Sequence, residues 1–227
     1  MSHNLQETFA SLDESEQEKS MMIAQLSHDI KTPITSIQAT VEGILDGVIK
    51  EEEHVHYLTT IGRQTERLNK LVEELDVLTL NAQPRTDSDN EAEIIFLDQL
   101  LIEAMSEFQL LIEQEERDIY IQVSPESAKM KSHYDKLSRI LVNLLNNAFK
   151  YSDPGTKVEV VAQLTEQDLT ISVKDEGQGI APEDLDKIFK RLYRVETSRN
   201  MKTGGHGLGL AIAQELAHQL GGEITVE

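Results

Sequence analysis

The feature that most restricts how this chain can fold is an apolar repeat at three-and-four spacing. Ile23, Leu26, Ile30, Ile34, Ile37, Val41, Ile44 and Val48 follow one another in that rhythm, which winds onto one stripe of a helix and forms a coiled-coil seam. The helical pattern runs from about Leu5 to Asp46, with Glu16 and Lys19 breaking the seam before Ile23. Gly43 and Gly47 loosen its end, and Lys50–Glu53 reads as a turn. A second run follows in heptad spacing, through Val55, Leu58, Ile61, Thr65, Leu68, Val72 and Leu75. Long helices joined by a short loop make an antiparallel hairpin. A hairpin with one seam cannot bury it alone, so the expected solution is a homodimer closing a four-helix bundle.

Within the first helical run, Ser27-His28-Asp29-Ile30-Lys31-Thr32-Pro33 departs from plain bundle chemistry. His28 lies roughly 200° round the helix from Leu26 and from Ile30, at about 100° per residue, and so points to solvent. Thr32, four residues on, shares its face. Pro33 lacks the N–H that would bond the carbonyl of Asp29, so a local bend is expected. An exposed imidazole, a same-face hydroxyl and a helix defect together suit a reaction site, although a lone surface histidine on a bundle is the commoner case.

The stretch Gln83-Pro84-Arg85-Thr86-Asp87-Ser88-Asp89-Asn90 is polar and interrupted by proline, and reads as a linker. The expected organisation is a helical hairpin over 1–82, the linker over 83–90 and a second domain over 91–227. In that domain Glu93–Leu97 and Asp118–Ser124 read as strands, and Asp98–Glu116 as one amphipathic helix. Asp135 is placed to cap a helix running to about Lys150. Lys157–Leu164 and Asp168–Lys174 read as a hairpin of half-buried strands. Ala181–Phe189 reads as a short helix, Lys190–His206 as irregular, Gly207–Leu220 as helical and Glu223–Glu227 as the start of a strand. The expected class is therefore an all-α hairpin followed by an α/β sandwich, with mainly antiparallel strands in one sheet and helices on one face.

Composition narrows the chemistry. A net charge of −20 opposes a nucleic-acid partner, which needs a basic face. With no cysteine, disulfides, thiolate catalysis and cysteine-held zinc are excluded, and a reducing compartment fits. No run of about 18 apolar residues spans a membrane.

The second domain carries further constellations. Asn143 and Asn147 are four apart and face one way from a helix, with Lys150 and Tyr151 at its end. Amide oxygens suit magnesium already held by phosphates, though asparagines also cap or bond locally. Asp175-Glu176-Gly177-Gln178-Gly179-Ile180 follows a strand, so its carboxylate can accept from an exocyclic amine and its glycines let a flat ring approach, or it is a plain loop. Gly204-Gly205-His206-Gly207-Leu208-Gly209-Leu210 opens a helix and offers backbone N–H groups to phosphates. It is neither a P-loop nor a dinucleotide fingerprint. Phe189-Lys190-Arg191-Leu192-Tyr193-Arg194, lying between the last two, is either a lid or a pinned surface loop.

The ordered set resembles the sensor histidine kinases of two-component signalling, in the subclass with a helical-hairpin phosphoacceptor domain. Ser27–Pro33 resembles the H box, Asn143–Ser152 the N box and Asp175–Gly179 the first glycine box. Phe189–Arg194 resembles the F box and Gly205–Leu210 the second glycine box. The resemblance runs over nearly all of the chain from Ile23 onward.

The resemblance implies that His28 attacks the γ-phosphate of ATP, with Asp29 as the base that relieves the imidazole of its other proton. It implies that Thr32 places a water for phosphatase activity toward a response regulator, whose receiver domain is the partner. Asn147 would hold Mg2+ and Asn143 would support it at the phosphates. Asp175 would read the adenine, with Gly177, Gly179 and Ile180 beside it. Lys150, Tyr151 and Arg191 would flank the nucleotide, and Gly205, His206, Gly207, Leu208 and Gly209 would line the phosphates, with ADP as product. Related ATPases of the gyrase and Hsp90 type carry a glutamate where Asn143 stands, so hydrolysis to water is expected to be slow. His206 stands where the family has a small residue and is expected to face solvent; Leu192 stands where it has an aromatic. Family members continue past a Gly-Gly-x-Ile strand, so an ending at Glu227 implies a missing C-terminal strand. The resemblance places this segment on the cytoplasmic side of a membrane-anchored sensor. The alternatives are a degenerate kinase acting as a scaffold or phosphatase, and an ATPase of the same fold.

Overall fold

In the computed structural model, residues 2–79, 92–195 and 207–227 are described. The chain divides into two units, Met1–Thr79 and Leu80–Glu227. The stretch read as a linker lies outside the described residues.

The first unit is the hairpin. Helix α1 spans Ser2–Leu45 and α2 spans His54–Thr79, joined through a 3-10 turn at Glu51–Glu53. Gly47 takes φ +69, and the Ile49 N–H returns to the Gly43 carbonyl at 2.9 Å, which reverses the chain. Pro33 lies inside α1 without interrupting it, and its ring is fully buried. Leu26 and Leu71 are buried between the helices. Much of the rest of the seam is not: Ile23 is 57% exposed, Val55 76% and Leu58 56%.

The second unit is built around helix α5, Tyr134–Tyr151. Leu137, Leu141, Leu145 and Ala148 fall on one stripe and are buried; each leucine so placed stabilises the fold by about 2 kcal/mol. Before it come β1 (Glu93–Phe96), α3 (Leu97–Ser106), α4 (Gln109–Gln114), β2 (Asp118–Ser124) and β3 (Lys129–Ser132). After it come β4 (Lys157–Leu164), β5 (Leu169–Asp175) and α6 (Gly209–Gln219). Strands order as β2-β4-β5, with β4 parallel to β2 and antiparallel to β5. Val158, Val160 and Ala162 alternate inward from β4 onto the helical layer, at two-residue spacing. α6 packs on α5 through Ala211, Ile212 and Leu216.

Several expectations need correction. β1 and β3 form a separate two-stranded antiparallel sheet, so the described residues of the domain make two sheets instead of one. The helix expected over Asp98–Glu116 is broken at Glu107 and Phe108, where the Phe108 ring stacks on Phe149 at 4.9 Å. His133, not Asp135, is the cap residue of α5; Asp135 sits in the first turn, where its charge suits the helix dipole. Only Pro182–Asp184 is helical in the stretch expected as a short helix, and it is a 3-10 turn. Residues 222–227 pair with no strand among the described residues and are extended chain only.

Candidate phosphoacceptor and nucleotide sites

On α1 the inward side chains Leu26 and Pro33 leave His28 on the outer face, 79% exposed. Its Nδ1 lies 3.5 Å from Oδ1 of Asp29, a carboxylate only 21% exposed. Neighbours on a helix point apart by about 100°, so this approach requires Asp29 to lean across. A proton held on Nδ1 toward Asp29 leaves Nε2 outward with its lone pair free. Thr32 donates from Oγ1 to the His28 carbonyl at 3.0 Å, and Ser27 from Oγ to the Ile23 carbonyl at 2.7 Å.

In the second unit three separate segments converge on α5. Asn143 donates from Nδ2 to the Arg139 carbonyl at 3.0 Å, leaving Oδ1 toward the start of α6. A Cβ on Gly209 would lie 3.1 Å from that oxygen, so a glycine lets α6 begin directly over Asn143. The side chain of Asn147, half-buried one turn on, makes no hydrogen bond among the described residues. At the helix end, the Lys150 ammonium sits 5.0 Å from the Tyr151 ring centroid.

The loop after β5 closes on that same end. Asp175 accepts the Gly177 N–H at 2.8 Å, and the Gln178 N–H reaches the Tyr151 carbonyl at 3.4 Å. A Cβ on Gly177 would stand 2.5 Å from the Tyr151 oxygen; no other residue fits. Gly179 turns the chain at φ +68, and Ile180 is 37% exposed beyond it.

The third segment runs to Val195. Tyr193 donates to Asp184 at 2.5 Å, and the Leu192 N–H donates to the Gly207 carbonyl at 2.9 Å. Gly207 has φ +71, and a Cβ there would lie 2.9 Å from the Tyr193 oxygen. Leu208 is buried and Arg191 is exposed. Gly205 and His206 lie outside the described residues. The Asp175–Ile180 loop and Gly209 thus lie against α5 at Tyr151 and at Asn143, although the sequence scatters these positions over some seventy residues.

Comparison with known proteins decides what this arrangement belongs to. Residues 18–83 match the family described as His Kinase A (phospho-acceptor) domain. Residues 132–227 match the family described as histidine kinase-, DNA gyrase B-, and HSP90-like ATPase. Over 231 aligned residues, covering 100% of this chain, it is 38% identical to histidine protein kinase SaeS of Staphylococcus epidermidis. The chain belongs to the histidine kinases. It spans 64% of that relative's length. Histidine kinase AdeS of Acinetobacter baumannii superposes with a TM-score of 0.65 at 28% identity, over 84% of this chain and 86% of that one. Histidine kinase ThkA, solved in complex with response regulator protein TrrA, superposes with a TM-score of 0.65 over 93% of this chain and 60% of that one. At 20% identity the ThkA likeness concerns the fold.

The second unit also fastens these segments with residues outside any motif. Asp184 ties down Tyr193 and lies 3.7 Å from the Lys187 ammonium, so the segment after β5 is braced internally. Glu176 accepts the Lys157 N–H at 3.2 Å and fastens the loop to β4. Behind α5, Arg117 is buried and reaches the helix end. Local sequence carried no signal for these, since each depends on a partner brought near by the fold.

Proposed function

We propose that this histidine kinase uses Mg-ATP to phosphorylate His28 and then passes the phosphoryl group to an aspartate of a response regulator's receiver domain. The observation that carries the reading is the convergence of Asn143, the Asp175 loop and Gly207–Gly209 on one helix, in a chain whose other unit exposes His28 beside Asp29. Asp175 would accept from the adenine amine, with Gly177, Gly179 and Ile180 along the ring and Lys150, Tyr151 and Arg191 flanking the nucleotide. Gly205, His206, Gly207, Leu208 and Gly209 would give the phosphates backbone N–H groups at the start of α6.

The residues fit magnesium of the kind carried in with phosphates. Asn147 offers an uncommitted hard oxygen, supported by Asn143, and no cluster of three or more acidic or histidine side chains among the described residues could hold a metal unaided. Bound there, magnesium would neutralise charge on the transferring phosphate. In the first step Nε2 of His28 bonds to the γ-phosphorus as the bond to the bridging oxygen breaks and ADP leaves. The Nδ1 proton moves toward Asp29. In the second step the phosphorus–nitrogen bond breaks as a receiver carboxylate oxygen takes the group. Thr32, on the same face as His28, would place a water for hydrolysis of the regulator's phosphoaspartate.

Two exposed stripes, Ile23, Ile34 and Val41 on α1 and Val55, Leu58 and Val72 on α2, support a homodimer. No helix among the described residues is long and apolar enough to cross a membrane, so the anchor of the sensor we propose lies outside them. Labelling with γ-labelled ATP and magnesium tests the reading. Acid-labile, base-stable label absent from His28→Ala is expected; label that survives in His28→Ala would overturn it.

A further inference from the structure

We infer that Arg117 is a positioning residue for the adenine end of the cleft, an inference that rests on reading that cleft as the nucleotide site. Its side chain is 1% exposed, and a buried guanidinium is tolerated only when its donors are matched. Here they are. Nε donates to Glu115 at 2.8 Å. Nη1 donates to Ser152 Oγ at 2.6 Å and Thr156 Oγ1 at 2.9 Å. Nη2 donates to the carbonyls of Phe149 at 3.1 Å and Ser152 at 2.9 Å. The guanidinium also lies 5.6 Å from the Phe149 ring centroid.

A helix ends with carbonyls that have no partner within it. Arg117 takes up those of Phe149 and Ser152, which bracket Lys150 and Tyr151. The carbonyl of Tyr151 faces the other way, against Gly177 and the Gln178 N–H. The end of α5 is therefore held between a guanidinium on one side and the Asp175 loop on the other. From beneath, the Gly155 N–H donates to the Glu115 carbonyl at 2.8 Å and closes the turn that leads to β4. The height at which Arg117 sets the Tyr151 carbonyl determines where Gly177 rests, and so where the Asp175 carboxylate points. Lysine cannot replace it: one ammonium on a flexible stem does not bridge the carbonyls as the planar fork does.

The test uses the full chain as wild type, Arg117→Lys, Arg117→Met and Leu100→Ala, the last a core truncation on α3 that lowers stability and removes none of the hydrogen bonds named above. At a temperature where circular dichroism shows all of them folded, calorimetry gives the Kd for Mg-ADP and labelling at saturating ATP gives the maximal rate. The Arg117 variants should raise the Kd about tenfold or more, with the saturating rate within about threefold of wild type. Leu100→Ala should leave the Kd unchanged. Arg117 variants that bind ADP as tightly as Leu100→Ala does would overturn the inference. If Arg117→Met does not fold, Arg117→Lys decides alone. Failure of the wild type to bind ADP would strike the nucleotide reading itself. The positioning role is then read from hydrogen exchange without ligand: residues 175–180 should exchange faster in Arg117→Lys and not in Leu100→Ala, and equal rates refute it.

Discussion

Substituting Gly177 by alanine asks whether the Asp175 loop must lie against the end of α5 for a nucleotide to bind. The added Cβ would meet the Tyr151 carbonyl oxygen at 2.5 Å, Asp175 Oδ1 at 2.6 Å and the Tyr151 carbonyl carbon at 3.0 Å. Ordinary contact begins near 3.4 Å, so loop and helix must separate by about 0.9 Å where dispersion forces set the spacing. Neither obstacle yields easily. Tyr151 belongs to a helix held by Arg117, and the Asp175 carboxylate is engaged with the Gly177 N–H at 2.8 Å. The separation would lengthen the Gln178 bond to Tyr151, already 3.4 Å, past the range of a hydrogen bond. Overpacking of this kind costs about 1–3 kcal/mol of stability. If Asp175 reads the adenine as proposed, displacing its carboxylate by nearly an ångström costs about ten- to a hundredfold in affinity. Calorimetric titration of the full chain with Mg-ADP measures this directly, alongside a thermal melt that separates lost affinity from lost fold. Gly177→Ala binding within about twofold of wild type would refute the packing argument.

The remaining predictions concern other parts of the chain. Gly62→Ala on α2, where an added Cβ meets nothing within 4 Å, should raise the stability of the hairpin by about 0.5–1 kcal/mol through helix propensity; a lowered melting temperature would show that another chain packs against that face. Leu58→Glu should convert the proposed homodimer to monomer by light scattering, because Leu58 is 56% exposed on the stripe assigned to the interface; an intact dimer would place the interface elsewhere. Tyr134 donates to Glu103, which pushes the phenol up to about 12 and holds the carboxyl below its usual value. The raised phenol gives stability present below its unfolded value and lost as pH rises through about 12, and the lowered carboxyl gives stability lost as pH falls. The melting difference between wild type and Tyr134→Phe should therefore be greatest near neutral pH and shrink at both extremes; a constant difference would exclude linkage.

What could be read from the sequence follows the range of the interactions involved. The hairpin was legible because a seam repeats locally, and α5, β4 and β5 because their apolar periods are uninterrupted. Strand β3 was not, since Lys129-Met130-Lys131-Ser132 offers a single apolar residue and becomes a strand only by pairing with β1. The break between α3 and α4 was hidden for the same reason: what draws Phe108 out of the helix is Phe149, some forty positions later. One sheet became two because nothing local in β1 indicates its partner.

The site divides along the same line, and the division bears on how the cleft is built. Residues that would touch the nucleotide are short-range signals, amides one helical turn apart and glycines in turns, and these could be picked out one motif at a time. Residues that hold them carry no such mark. Arg117 is one charge among many in the acidic stretch ending Gln114-Glu115-Glu116-Arg117-Asp118, and pattern alone assigns it to solvent. Yet it is buried, and its fork spans backbone thirty-two and thirty-five positions away. Glycines at positions 177 and 207 are required by close approach to the backbone of Tyr151 and Tyr193, and a Cβ at position 209 would press on the Asn143 amide. Their small size is a tolerance that matters only once something rigid stands opposite, and on the α5 side that rigidity comes from the hidden arginine. On the proposed reading the motifs specify contact with the nucleotide, while the placing of the Asp175 loop against α5 depends on a buried arginine that no motif contains.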